Sequence, residues 1–289
     1  MDCVNLFRAA LQADFGKIDW QPIPDGQLHR FHVPGDRAGS RNGWYILHLG
    51  GVAVGIYGSW KAGGSYRWSS RAPADYREAE QLRQRIEQAR RQREAEQHQR
   101  QQSAAEYASR LWRSARLADA AHPYLSRKAV KPYTLRQQGD VLLVPLCRDS
   151  ALVNVQRIKP DGSKRFLFGG MVKGCYSPLG TITPSQPLYI CEGWATGATI
   201  HTDTGAAVAC AMNAGNLLPV GQYLQRRYPD AVMIVAGDDD RTTDGNPGKA
   251  AANNAAASLG CGLVLPPWSG TEPLELTDFN DLANWRAAQ

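Results

Sequence analysis

Pro187-Leu188-Tyr189-Ile190-Cys191-Glu192-Gly193 and Val232-Met233-Ile234-Val235-Ala236-Gly237-Asp238-Asp239-Asp240 decide the reading of this chain. Each is a short apolar run that stops at glycine and acid. The rhythm around them repeats: strand Pro187–Cys191 precedes a helix near Ala195–Thr202, and strand Ala206–Ala211 a helix near Leu218–Tyr228. Strand Ala231–Ala236 then precedes a helix near Gly248–Leu259, before a last strand Gly262–Leu265. Such alternation with short apolar strands implies a parallel sheet covered by helices on both faces. In such sheets chemistry collects beyond the carboxyl ends of the strands, which is where these acids fall. Side chains alternate along an extended segment, so Asp238 and Asp240 point one way and Asp239 the other. With Glu192 arriving from a nearby strand, they form an all-oxygen set suited to Mg²⁺ or Mn²⁺. A bare run of Asp reads more readily as a polar turn capping the next helix; its place at a strand end, with Glu192, reverses that preference toward the metal.

Ahead of this region, Val141–Leu146, Leu152–Ile158 and Arg165–Phe168 read as strands, with a Pro160-Asp161-Gly162 turn between the last two. Arg157, Lys159, Lys164 and Arg165 surround that turn. Four cations there serve phosphate binding or guard an exposed edge against aggregation, and the hairpin alone does not choose.

Residues 73–118 contain no Gly or Pro after Pro73 and are rich in Gln, Arg, Glu and Ala, so one long helix or two is expected. Between 81 and 105 the apolar stripe is nearly missing, which predicts a solvated spacer. Tyr107, Leu111, Trp112 and Leu117 restore it and should dock on the next domain. Residues 1–72 open with Val4, Phe7, Leu11 and Phe15 at helical spacing. Alternating segments Leu28–Val33, Trp44–Leu49 and Val52–Tyr57 come after it, a small antiparallel β module. Trp60, Arg67 and Trp68 lie in it among other arginines, as a stacking platform for single-stranded nucleic acid or as core. The division expected is therefore 1–72, 73–118, 119–184 and 185–289.

Net charge divides along the same line. Residues 185–289 carry five basic and eleven acidic groups, while the 184 before them carry 28 basic and 16 acidic. A basic front half suits a polyanionic partner. With 289 residues, 43% hydrophobic and 21% charged, the chain is long enough for two domains, and no apolar run is long enough for a bilayer, so no membrane partner is expected. The first residues lack an export segment, which places the protein in the cytoplasm. Six scattered cysteines without a CxxC pair suggest neither a zinc ribbon nor a disulfide framework. Gly245-Asn246-Pro247-Gly248-Lys249-Ala250 looks like the tail of a phosphate loop but lacks its leading glycine and the Ser or Thr after lysine.

Glu192-Gly193 after one apolar strand and Asp238-x-Asp240 after another resemble the Toprim domain of primases, type IA and II topoisomerases and some nucleases. More narrowly, the chain is similar to the Toprim primases of plasmids, phages and integrated mobile elements. His122-Pro123-Tyr124-Leu125, Val144-Pro145-Leu146, Gln156-Arg157-Ile158 and Asp161-Gly162-Ser163-Lys164-Arg165-Phe166 with Gly169-Gly170 match the segment ahead of Toprim in that group. Thr277-Asp278-Phe279-Asn280-Asp281-Leu282 is similar to its closing signature. The resemblance covers about residues 120–285. It implies a Toprim-like α/β fold: a parallel sheet flanked by helices, preceded by a basic hairpin subdomain, a long helix and a small N-terminal β module. It implies Glu192, Asp238 and Asp240 as the catalytic metal site, with Glu192 as further ligand or as general base and acid. Arg157, Lys164 and Arg165 are implied as contacts to nucleoside triphosphates or to a single-stranded DNA template, and Lys249 is expected to join them. The expected activity is metal-dependent synthesis of RNA primers. A Toprim nuclease and a non-catalytic single-strand-binding accessory protein are the alternatives. The zinc ribbon of bacterial replicative primases and a Walker motif are both missing, so a helicase would be a separate protein.

Overall fold

Asp2 starts the first helix, α1 (Cys3–Phe15), by accepting the Val4 N–H, and Gly16 ends it with a φ of 84° that a side chain would resist. The computed structural model describes residues 2–289. Four antiparallel strands come next in sequential order: β1 (His29–Phe31), β2 (Gly43–His48), β3 (Val54–Ser59) and β4 (Tyr66–Ser69). Their alternation divides the apolar residues. Tyr45, Leu47 and Tyr57 join Phe7 and Leu11 of α1 on one face, while Trp44, Ile46 and Ile56 form the other. Gly55 lets α1 come close, since a Cβ there would run into the Phe7 ring.

The helix-forming stretch is one helix, α2 (Tyr76–Ser114). The expectation of a solvated spacer over 81–105 fails for the part up to residue 96. Ala89 is buried against Trp44, Ile46 and Ile56, and the Arg93 guanidinium lies 5.2 Å from the centre of the Trp44 ring. Arg85 donates to the carbonyls of Gly50 and Val52, and Arg30 pairs with Glu96 at 3.2 Å. Ala89, the half-buried Ile86 and the flat guanidinium of arginine make this contact, too few large apolar groups to give the stripe that marks a packed helix.

The chain separates into two compact units, Met1–Gln99 and Arg100–Gln289, with the boundary inside α2. In the second unit Ala108 and Leu111 of α2, with Ala115 just past its end, pack on a five-stranded antiparallel sheet. It contains β5 (Arg116–Leu117), then, after the short α3 (Pro123–Lys128), β6 (Arg136–Gln138), β7 (Val141–Arg148), β8 (Ala151–Ile158) and β9 (Lys164–Phe166). Leu143 and Val155 face α2, whereas Leu142, Val144, Leu146 and Ile158 face the other way.

The last sheet has the strand order β10-β12-β11-β13-β14. Its members are β10 (Ser177–Leu179), β11 (Pro187–Cys191), β12 (Ala207–Cys210), β13 (Val232–Ala236) and β14 (Gly262–Val264). All neighbours run parallel except the edge strand β10, which the sequence did not announce. α4 (Trp194–Thr204) covers one face, over Cys191, Val208, Cys210 and Ala236; α5 (Leu217–Arg227) and α6 (Pro247–Leu259) cover the other, over Leu188, Ile190, Val235 and the odd-numbered alanines of β12. A closing helix, α7 (Phe279–Ala287), contacts α4. Leu142, Val144 and Ile158 of the antiparallel sheet share one core with α4, so residues 119–184 and 185–289 are joined by burial rather than by a linker. Among the described residues no helix is long and apolar enough to cross a membrane.

The approach of α4 to the sheet depends on Gly197, whose Cβ would meet the sulfur atoms of Cys210 and Cys191. Gly197→Ala should therefore cost about 1–3 kcal/mol through overpacking, despite its better helix propensity. Thermal melts should show a drop of several degrees, restored in part by adding Cys210→Ala; a rise in melting temperature for the single variant would contradict the packing.

Candidate active site

Glu192 leaves the end of β11 and Asp238 the end of β13, and these strands are neighbours with Cys191 opposite Ala236. Adjacent parallel strands thus deliver their terminal carboxylates to one place. The three consecutive aspartates then divide as alternation requires. Asp239 is 6% exposed and turned into the protein, where it accepts from Asn246 Nδ2 at 2.7 Å and Trp268 Nε1 at 3.0 Å. Burial opposes its ionisation, but those donors and Lys249, 3.6 Å away, outweigh burial and hold its pKa below the usual value.

Asp240 lies at the start of α6, where its Oδ2 accepts the Gly248 N–H at 2.9 Å, a position the helix dipole favours for an anion. A Cβ on Gly248 would sit 2.8 Å from that oxygen, so glycine is needed for the approach. Asn246, at φ 42°, organises the turn: its Oδ1 accepts from the backbone N–H groups of Asp240 and Lys249 while its amide donates to Asp239. The stretch that resembled a phosphate-loop tail is thus a clamp on the aspartates. Lys249 belongs to that clamp.

Asp238 is the strained member. Its Oδ1 is buried with no hydrogen-bond partner. Burial first, then the negative charges of Asp278, Glu192, Asp240 and Asp281, push its pKa up to about 8. Glu192 is raised too, by burial and then by Asp240, against the opposing pull of the Ala214 backbone and Lys164. The sequence reading did not single out Asp278 as a site residue. It caps α7 by accepting the Asp281 N–H at 2.8 Å and also accepts from Thr196 Oγ1 of α4 at 2.9 Å. Asp followed three residues later by Asp, before a helix, is the signal that could have found it.

The cations of the hairpin separate. Strand register puts Lys164 opposite Ile158, on the face turned toward the carboxylates, with Nζ 5.5 Å from the centre of the Tyr124 ring. Although much of Lys164 is exposed, crowding at its ammonium and the nearby Lys128 lower its pKa, opposed by Asp278, Glu192 and Asp238. Lys128 itself pairs with Asp281 at 2.9 Å. Arg157 and Arg165 are opposite each other on the reverse face, that of Leu143 and Val155, and both are exposed. In the N-terminal unit, Trp60 is half-buried, 5.7 Å from Trp44 with the Arg30 guanidinium over it, and Trp68 is half-buried 5.3 Å from Phe7. Both indoles contribute to packing; Arg67 is exposed.

Among the described residues no three His, Cys, Asp or Glu side chains converge tightly enough to cage a metal ion. Mg²⁺ needs only one or two protein carboxylates and fills the rest of its shell with water and phosphate oxygens. The unpartnered, repelled carboxylate of Asp238 is the group a cation would satisfy.

Residues 187–288 match the family model described as the Toprim domain. Over 272 residues the chain is 31% identical to a DNA primase TraC of Escherichia coli, covering 88% of this chain and 25% of that protein. A second DNA primase TraC of Escherichia coli is 31% identical over 274 residues, covering 88% and 19%. The chain thus spans a quarter or less of the length of these curated relatives. A solved assembly of bacteriophage T7 lagging-strand DNA polymerase with the primase domains of two gp4 subunits, an RNA/DNA hybrid and dTTP contains a chain that aligns with a TM-score of 0.39 and 12% identity. That alignment covers 53% of this chain and 76% of the other.

The raised pKa of Asp238 has a signed consequence for stability. Its folded value lies above the unfolded one, so its contribution is intact below about pH 4 and is lost as pH rises toward 8. Asparagine suffers no such loss and its amide can donate to neighbouring carboxylates. With EDTA present, Asp238→Asn should melt at or above wild type at pH 8, by about 2–4 °C per kcal/mol relieved, with the advantage shrinking as pH falls toward 4. A melting temperature clearly below wild type at pH 8 would mark Asp238 as a structural polar residue instead.

Proposed function

From a chain whose residues 187–288 are a Toprim domain, and whose sequence resembles DNA primase TraC over most of its length, we infer a DNA primase. It joins ribonucleotides on a single-stranded DNA template. The observation that carries this reading is Lys164, sent from the antiparallel sheet toward carboxylates that end the parallel one. A carboxylate set with an opposing ammonium suits a nucleoside triphosphate, whose phosphates need both a metal and a cation.

Glu192, Asp238 and Asp240 would hold Mg²⁺ or Mn²⁺, which when bound activates the attacking hydroxyl and neutralises charge on the leaving pyrophosphate. The residues themselves do the positioning. Asp240 is fixed by the Gly248 N–H and Glu192 by its strand, so the carboxylates are aimed before substrate arrives. Lys164 meets the triphosphate. The raised pKa of Glu192 also suits it to accept and return a proton, the alternative to ligation. Arg157 and Arg165, on the other face, act on the template backbone as a separate contact.

Primer synthesis on single-stranded circular DNA with labelled ribonucleotides tests the reading. Wild type should make short products with Mg²⁺ or Mn²⁺ and none in EDTA, and Asp240→Asn should fall to background. Lys164→Ala should lose yield and recover it in part at high nucleotide concentration, which marks a binding defect. Arg165→Ala should instead respond to more template. Metal-dependent cleavage of the circle without incorporation would replace the primase by a nuclease.

A further inference from the structure

The N-terminal unit contains a cleft of about 760 Å³ beside the edge strand β1, within the ~300–1,000 Å³ of small-molecule sites. Its floor is aromatic. Tyr45, 3% exposed, is stacked by Trp20 with ring centres 5.3 Å apart at 17°, and by His29 at 5.2 Å and 21°. Register opposite His29 and a 2.9 Å hydrogen bond from the Ile23 N–H to its hydroxyl hold Tyr45 in place. Trp20, which also has the Phe31 ring 5.3 Å away, and His29 are only half-buried, so the outer members of the stack are partly open to solvent.

The rim is cationic. Lys17 and Arg41 line the cleft, are exposed, and make no ion pair among the described residues. Arg30 also lines it, with its Nη2 buried and unpartnered although its Nε pairs with Glu96. Asp19 is the one acid of the lining. A flat aromatic floor with cations about it matches the two parts of a single-stranded nucleic acid: base faces that stack and phosphates that need charge. An apolar ligand would leave these cations without purpose.

We propose that this cleft, rather than Trp60 or Trp68, takes a base of single-stranded DNA onto Trp20, with the flanking phosphates on Lys17 and Arg41. The identity of the strand as template rests on the primase reading; the site itself does not. It belongs to a different unit from the carboxylates and its lining has Asp19 as its one acid, so its part is to hold the strand.

The test uses the full chain and a fluorescently labelled thymidine oligonucleotide, with EDTA present and binding followed by anisotropy across a salt series. Wild type should bind at low salt. Trp20→Ala should weaken binding about 5- to 150-fold, the loss of one stacked base, while Trp20→Phe should keep most of the affinity. Lys17→Ala with Arg41→Ala, both on the surface, should reduce the slope of log affinity against log salt by about 1.4, two phosphate contacts. Asp240→Asn should bind as wild type. The proposal falls if wild type does not bind, if folded Trp20→Ala binds as wild type, or if the double variant leaves the salt slope unchanged. Displacement of the oligonucleotide by equimolar dTTP would also overturn it in favour of a free-nucleotide site. Primer synthesis that persists alongside any of these failures leaves the primase reading standing. Loss of binding by Trp20→Ala in a protein that makes no primers does the reverse.

Discussion

Repulsion among Glu192, Asp238, Asp240 and Asp278 is the constraint around which the second unit is arranged. Four carboxylates at the ends of two neighbouring strands and one helix would push the loops apart unless something held them. The fold supplies the holding in pieces. The α6 N-terminus takes Asp240, Thr196 and the α7 N-terminus take Asp278, and Asn246 ties the intervening turn to Asp239. Of the four, Asp238 is the one with a buried carboxylate oxygen that no hydrogen bond satisfies.

That arrangement explains why the antiparallel sheet and the parallel sheet share a core. Lys164 is turned toward the carboxylates because Ile158, its register neighbour, is buried with Leu142, Val144 and residues of α4. A flexible junction between the sheets would let cation and carboxylates collapse into an ion pair or drift apart. A packed one holds Lys164 within electrostatic range of Glu192, Asp238 and Asp278. Gly197 and Gly248 serve the same end, the first by seating α4 on the sheet and the second by bringing α6 up to Asp240.

The N-terminal unit obeys a different logic. Its sheet is covered on one face by α1 and on the other by the first half of α2, so both faces are occupied and binding is left to the edge. Trp44 is drawn fully into packing, while Trp20, Trp60 and Trp68 are half-buried, and of these Trp20 lines the cleft beside β1.

The sequence by itself determined the local rhythm. The strands Pro187–Cys191 and Val232–Ala236, the helices after them and the division of Asp238 and Asp240 from Asp239 are consequences of nearest-neighbour geometry: period two in strands, 3.6 in helices, and acids at strand ends. Tertiary structure decided whatever depends on residues far apart in the chain. The sides taken by Lys164 and Arg165 are set by which face of their sheet is buried, a fact held by Ile158 and Leu143 and not by the hairpin. Asp278 enters the cluster from 40 residues beyond Asp238 because α7 contacts α4. The first half of α2 packs although it has no apolar stripe, because Ala89 and Arg93 find tryptophan and isoleucine opposite them. Long-range burial, which no short window of sequence records, made each of these choices.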